Sequence, residues 1–170
     1  MKPLEKIAGR AWVFGDNINT DQIIQGQYLT LLDYKKMAEH TLEIPRPEFV
    51  DRVQEGDIIV AGDNFGSGSS REEAPQVIKE VGIRAIIAES FARIFYRNTF
   101  NIGIPAIQIP SICDYVDDGD RVVIDIELGR VTIPSKQKTF ETPPLPEVVR
   151  EILFTGGAVE WFRKRTDRSC

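Results

Sequence analysis

Groups able to do chemistry are densest at Asp63-Asn64-Phe65-Gly66-Ser67-Gly68-Ser69-Ser70-Arg71-Glu72-Glu73, where two glycines and three serines lead up to an arginine. Gly66 and Gly68 permit positive φ and let a ligand come close to the backbone. Ser70 has the form of an N-cap, with Glu73 three residues on completing a capping box. A helix start leaves N–H groups unpaired and carries a partial positive charge, to which Arg71 adds a full one. Two readings stand on spacing alone: a plain cap, and a seat for an anion. Pro75 at the fifth helical position would lack a needed N–H, which moves the expected helix start a residue or two later. The stretch is not Gly-x-Gly-x-x-Gly, because Arg71 stands at the third glycine, and it lacks the Gly-Lys-Ser/Thr of a Walker A loop. Nor is it the Gly-x-Ser-x-Gly of a nucleophile elbow.

The other candidate groups are sparse. Gly15 to Ile23 is a loop of turn formers that reads as a pair of Asx turns, with Thr20-Asp21 placed to bring one carboxylate to the edge of a site. The single histidine, His40, sits in a polar helix-like stretch and reads as a surface residue, which leaves Ser–His–Asp hydrolysis without its base. Cys113 and Cys170 are too few and too far apart to hold zinc or an iron–sulfur cluster. No metal site is expected on this chain.

Elements that would position these groups follow from apolar runs. Gly9 to Phe14, Ile58 to Ala61, Arg84 to Ala88 and Pro105 to Ile109 read as strands. Ala74 to Val81 reads as a helix closed by Gly82, and Ser90 to Asn98 as a short helix bearing two arginines. The strand–helix–strand unit from Ile58 to Ala88 predicts a parallel pair. Gly26 to Leu32 is a loop with apolar last residues, and Asp33 caps a helix from Tyr34 to Thr41. Beyond Asp117 the pattern turns to hairpins, with Val122 to Ile126 and Val131 to Ile133 as strands. Helices over Glu147 to Leu153 and Ala158 to Arg165 close the chain, broken by Gly156-Gly157. The 170 residues, 42% hydrophobic and 28% charged, predict one α/β domain over 1–170 with a mixed sheet. A net charge of −5 and no basic cluster except Arg163-Lys164-Arg165 argue against nucleic acid. No stretch is apolar enough to span a bilayer, and Met1 to Arg10 lacks a signal-peptide core, so a cytoplasmic protein without membrane contact is expected.

Four stretches, in order, resemble the aconitase family. They are Asn19-Thr20-Asp21-Gln22-Ile23, Gly66-Ser67-Gly68-Ser69-Ser70-Arg71-Glu72, Ser90-Phe91-Ala92-Arg93-Ile94-Phe95-Tyr96-Arg97-Asn98, and Glu151-Ile152-Leu153 with Gly156-Gly157. The likeness runs from about Gly9 to about Arg165 and decides between the two readings in favour of the anion seat. It implies the swivelling β/β/α domain of that family, in its separately encoded small-subunit form. It also implies a partner large subunit carrying a [4Fe–4S] cluster whose iron acts as Lewis acid on the departing hydroxyl, with no cofactor bound by this chain. The implied reaction is a dehydration and rehydration that moves a hydroxyl between neighbouring carbons of a malate-type acid.

By the same resemblance Ser69 is the base that takes the proton from carbon, Arg71 holds a substrate carboxylate, and Asp21 supports them. Ser70, Gly66 and Gly68 fall within the binding stretch. The family also places substrate choice in Tyr28-Leu29-Thr30-Leu31-Leu32, where relatives acting on homocitrate or homoaconitate carry arginine immediately after Tyr-Leu. This chain has Thr30 there, followed by Leu31 and Leu32. A buried carboxylate without a partner costs roughly 3 to 5 kcal/mol, whereas a methylene changes selectivity by about 1 to 3 kcal/mol. The missing arginine therefore discriminates more strongly, and it points to an alkyl-substituted malate: isopropylmalate first, dimethylmalate second. The alternatives are a homoaconitate hydratase subunit and a stand-alone phosphate-binding module using Gly66 to Arg71 as a nest.

Overall fold

The computed structural model describes residues 6–167; Cys170 and the first five residues of the Met1–Arg10 stretch lie outside them. From the amino end run β1 (Lys6–Val13), α1 (Thr20–Ile23), a 3-10 segment (Gly26–Leu31), α2 (Tyr34–Ala38) and α3 (Phe49–Arg52). Then come β2 (Ile58–Ala61), α4 (Glu73–Glu80), β3 (Ala85–Ala88), α5 (Arg93–Asn101) and β4 (Ala106–Gln108). The last part holds β5 (Arg121–Asp125), β6 (Arg130–Ile133), β7 (Lys138–Glu141), α6 (Glu147–Thr155) and α7 (Ala158–Asp167).

Seven strands form one sheet in the order β4-β3-β2-β1-β5-β6-β7. β1, β2, β3 and β4 are parallel neighbours. From β1 outward the pairing turns antiparallel, through β5 and β6 to β7. The mixed α/β sheet is therefore as expected. Every residue of β2 and β3 is buried, as befits central strands covered on both faces. Ile58 and Val60 join one core cluster while Ile59 and Ala61 join the other, so the sheet divides two hydrophobic layers.

Several elements differ from expectation for identifiable reasons. The loop predicted over Gly15 to Ile23 ends in α1, because Asn19 and Gln22 form a reciprocal capping box: Gln22 N–H donates to Asn19 Oδ1 at 2.9 Å and Asn19 N–H to Gln22 Oε1 at 3.0 Å. Gly26 to Leu32 is not a plain loop but the 3-10 segment. Ser70 does not cap α4; its N-cap is Glu72, without a side-chain cap bond. Pro75 consequently falls at the third helical position, where no N–H is required. The helix predicted from Ser90 begins instead at Arg93, since Phe91 is held in a β-bridge to Phe65. α3 and β7 were not expected at all; β7 alternates half-buried and exposed residues at the sheet edge.

The far end of α5 abuts the α6–α7 junction through glycines. A Cβ on Gly103 would lie 2.7 Å from the Gly156 carbonyl, and one on Gly157 would lie 2.7 Å from the Asn101 oxygen. Lys79 Nζ donates to Ile102 O at 2.6 Å beside that joint. No helix among the described residues is long and apolar enough to cross a membrane.

Candidate functional site

Three loops leave the carboxyl ends of β1, β2 and β3 and are stitched together by backbone bonds. Gly66 N–H donates to Ile18 O at 2.7 Å and Thr20 N–H to Ser67 O at 2.8 Å. Phe65 N–H donates to Ser90 O, and Ala92 N–H to Phe65 O, each at 3.0 Å. Parallel bridges join Asn19 to Ser67 and Phe65 to Phe91. The parallel sheet thus extends past its strands into a small platform, at the strand ends where open α/β sheets bind ligands. Gly66 is required there: its φ is +81° and a Cβ would sit 2.1 Å from the Phe95 ring.

A cleft of about 250 Å³ opens on the platform. One wall comes from Thr20 and from Gly66, Gly68, Ser69, Ser70 and Arg71; the other comes from Ala92 through Phe95 and Asn98. Ser69 is exposed, and its carbonyl is fixed by the buried Thr20 hydroxyl, which donates to it at 2.8 Å. The helix facing the cleft is α5, whose first N–H groups have no intrahelical partner. The positive helix end that the sequence assigns to α4 is therefore supplied by α5. Arg71 and Arg93 also line the cleft, so its walls carry positive charge that favours an anion.

Arg71 is anchored on one side only. Its Nη1 donates to Asp21 Oδ1 at 3.1 Å and to Ile24 O at 2.9 Å. Nη2 and Nε have no hydrogen-bond partner among the described residues, which leaves the fork open for a carboxylate. Asp21 also accepts the Gly26 N–H at 3.3 Å. With its side chain 61% exposed against 20% for Arg71, Asp21 orients the arginine and the start of the 3-10 segment. Thr30, Leu31 and Leu32 do not line the cleft. Thr30 Oγ1 donates to Gln27 O at 3.1 Å, and Leu32 is 90% exposed with a φ of +55°.

His40 is not a free surface residue. Its side chain is 31% exposed, its Nδ1 lies 3.1 Å from Glu43 Oε2, and its ring stacks on Tyr28. Burial, aided by Glu89 and neighbouring carboxylates, pushes the Cys113 thiol up to about 11, the wrong direction for a thiolate ligand. Asp16, Asp63 and Glu89, one from each platform loop, bring carboxylate oxygens within 4.8 Å of one another. They cap the loops: Asp16 Oδ1 accepts the Asp63 N–H at 2.8 Å and Asp63 Oδ1 accepts the Ser90 hydroxyl at 3.0 Å.

Sequence reasoning assigned no role to Thr20, Arg93, Asn98 or the first turn of α5. The capping-box pattern from Asn19 to Gln22 was the available signal for Thr20. The stretch Ser90 to Asn98 announces a helix, but nothing local signals that it walls the cleft, which depends on the pairing of Phe65 with Phe91 across 26 residues.

Comparison with known proteins adds a second line of observation. Residues 9–111 match the model of the aconitase C-terminal domain family. The 3-isopropylmalate dehydratase small subunit of Thermodesulfovibrio yellowstonii is 49% identical over 94% of this chain and 95% of its own. A methanogen homoaconitase small subunit from Methanothermobacter thermautotrophicus is 48% identical over 95% of this chain and 93% of its own. The crystal structure of 3-isopropylmalate dehydratase from Methanocaldococcus jannaschii superposes with a TM-score of 0.90 at 45% identity, covering 96% of this chain and 97% of that one.

Proposed function

The chain belongs to the aconitase C-terminal domain family, and from that premise we propose that it is the small subunit of a [4Fe–4S]-dependent hydro-lyase interconverting 2- and 3-isopropylmalate in leucine biosynthesis. The reading includes a partner large subunit that carries the cluster, an alkylmalate substrate and a cytoplasmic location. Among the described residues the only thiol is that of Cys113, which burial keeps protonated. The donor set does not fit a cluster, and no step assigned to this chain runs through one.

What this chain contributes is proton transfer and carboxylate binding. Ser69 removes the proton from the carbon next to the departing hydroxyl, and returns it in the reverse addition. A serine is a poor base in water; positive charge and unpaired N–H groups around it favour its deprotonated form. The observation that carries this assignment is that Ser69, Arg71 and the first turn of α5 wall one cleft. Arg71, steadied by Asp21, takes a substrate carboxylate on the open side of its fork. Ser70, Gly66 and Gly68 complete that wall.

Selectivity belongs to Thr30, Leu31 and Leu32 at the exposed end of the 3-10 segment, where the large subunit would complete the pocket. A second reading, homoaconitate hydration, is favoured by the 48% identity to the methanogen homoaconitase small subunit. It is disfavoured by Thr30, which offers no charge to a third carboxylate. Comparing kcat/KM for 3-isopropylmalate and homoaconitate separates the two.

The test is reconstitution with the cluster-bearing large subunit, following alkene formation from 3-isopropylmalate. Ser69→Ala is expected to lose about 10²- to 10⁴-fold in kcat, the usual worth of a positioned base, with the melting temperature unchanged. Turnover by Ser69→Ala at the wild-type rate would overturn the assignment.

A further inference from the structure

The 3-10 segment is held from behind by a group that the proposed mechanism does not use. His40 lies nearly parallel to Tyr28, with ring centroids 3.6 Å apart and planes 4° apart. Glu43 locks that pair. One of its oxygens lies 3.1 Å from His40 Nδ1, and the other accepts from Gln25 Nε2 at 2.6 Å. Glu43 also raises the pKa of the Tyr28 hydroxyl, chiefly by hydrogen bonding to it. Gln25 is the N-cap of the segment and Tyr28 its third residue, so Glu43 and His40 hold it at two points.

The opposite side of the segment is tied to the substrate clamp. Gly26 N–H donates to Asp21 Oδ1 at 3.3 Å, and the same oxygen takes Arg71 Nη1 at 3.1 Å. The segment therefore hangs between Arg71 in front and His40 behind. Past Tyr28 the side-chain hydrogen bond is that of Thr30, and it is internal to the segment, to Gln27 O. Leu31 and Leu32 are exposed. Where these three residues stand follows from the anchored residues just before them, Tyr28 on its stack and Leu29 against the core.

We propose that His40 is a positioning residue: through its stack on Tyr28 it sets the height of Thr30, Leu31 and Leu32, and so the size of the 3-substituent that the site accepts. This rests on the reading above that this segment meets the alkyl group of the substrate. A stack on a half-exposed ring is too weak to decide whether the chain folds. It is strong enough to choose between nearby poses of the exposed residues that follow Leu29, which with Tyr28 packs on the core. A purely scaffolding histidine would affect stability and leave discrimination between substrates alone.

The experiment uses the reconstituted complex with its large subunit and compares 3-isopropylmalate with 3-methylmalate. His40→Ala is expected to raise KM for 3-isopropylmalate about tenfold, the lower end of a methylene-sized misfit, with kcat changed less than about twofold. The preference in kcat/KM for the isopropyl over the methyl acid should fall in the same proportion. His40→Phe, which keeps a flat ring, should recover most of both. Should His40→Ala fail to fold, Glu43→Gln reads the same shift with the stack left in place but unlocked. A His40→Ala enzyme whose melting temperature or kcat falls while the preference stays at the wild-type ratio overturns the inference and leaves the proposed function standing. A wild-type complex that turns over neither alkylmalate overturns the proposed function itself.

Discussion

The strand-end platform and the segment Gly26–Leu31 flank the same arginine, yet they are held in opposite ways. The platform is joined by main-chain bonds between three loops, from Gly66 N–H to Ile18 O and from Ala92 N–H to Phe65 O. The segment is held by side chains: Asp21 at its start, Gln25 and Tyr28 through Glu43 and His40. Main-chain stitching tolerates most changes of side chain, because every residue but proline brings the same donor and acceptor. Side-chain anchoring does not. On the proposed function, a molecule built this way can keep the cleft fixed while substitutions in the segment change which acid it accepts.

The comparison breaks most sharply at Gly66. Alanine there must adopt a φ of +81° and drive its Cβ into the Phe95 ring. Backbone strain costs about 1 to 3 kcal/mol and overpacking typically another 1 to 3 kcal/mol. Gly66→Ala should lower the melting temperature by roughly 4 to 24 °C, taking about 2 to 4 °C per kcal/mol for a chain of this length. A variant melting within about 2 °C of wild type would mean that the loop is not pinned against α5.

Thr30→Arg sharpens the comparison from the other side. It should leave the melting temperature within about 1 °C, since exposed substitutions are usually near neutral. It should also shift kcat/KM toward homoaconitate by about tenfold to hundredfold, at 1.4 kcal/mol per tenfold, measured on the reconstituted complex. A large stability loss with no change of preference would place Thr30 in the scaffold. The smallest effect belongs to Leu32, a non-glycine residue at a φ of +55° with no packing to lose. Leu32→Gly relieves the left-handed strain and frees the unfolded chain, and the two effects should cancel to within about 0.5 kcal/mol in denaturant melts.

Much of the scaffold could be read in advance. Ile58–Ala61 and Ala85–Ala88 announce themselves as unbroken apolar runs because both faces of those strands are covered. Pro75 correctly argued for a later start of α4, against the capping-box pattern at Ser70. That pattern misled because Ser69 and Ser70 are occupied in lining a cleft, and local spacing cannot distinguish a cap from a ligand-facing turn. β7 escaped notice because an edge strand of Lys-Thr-Phe-Glu buries too little to leave a period. That Gly66 to Arg71 could face a ligand was legible, whereas its meeting with the first turn of α5 across one cleft was not, since that arises from strand order and not from neighbouring residues. Gly156 and Gly157, part of the family likeness, turn out to serve packing: they let α5 come close, far from the cleft.

That last contact has a mechanical meaning. α5 has nine residues and so works as a stiff rod about 13 Å long, with its first turn at the cleft and its tail wedged against bare backbone at Gly103, Gly156 and Gly157. A rod seated without slack passes on whatever displaces its tail. One methyl group inserted like a shim at that distant joint would arrive at the cleft as a misalignment of the wall opposite Ser69, from a residue no inspection of the cleft would lead anyone to suspect.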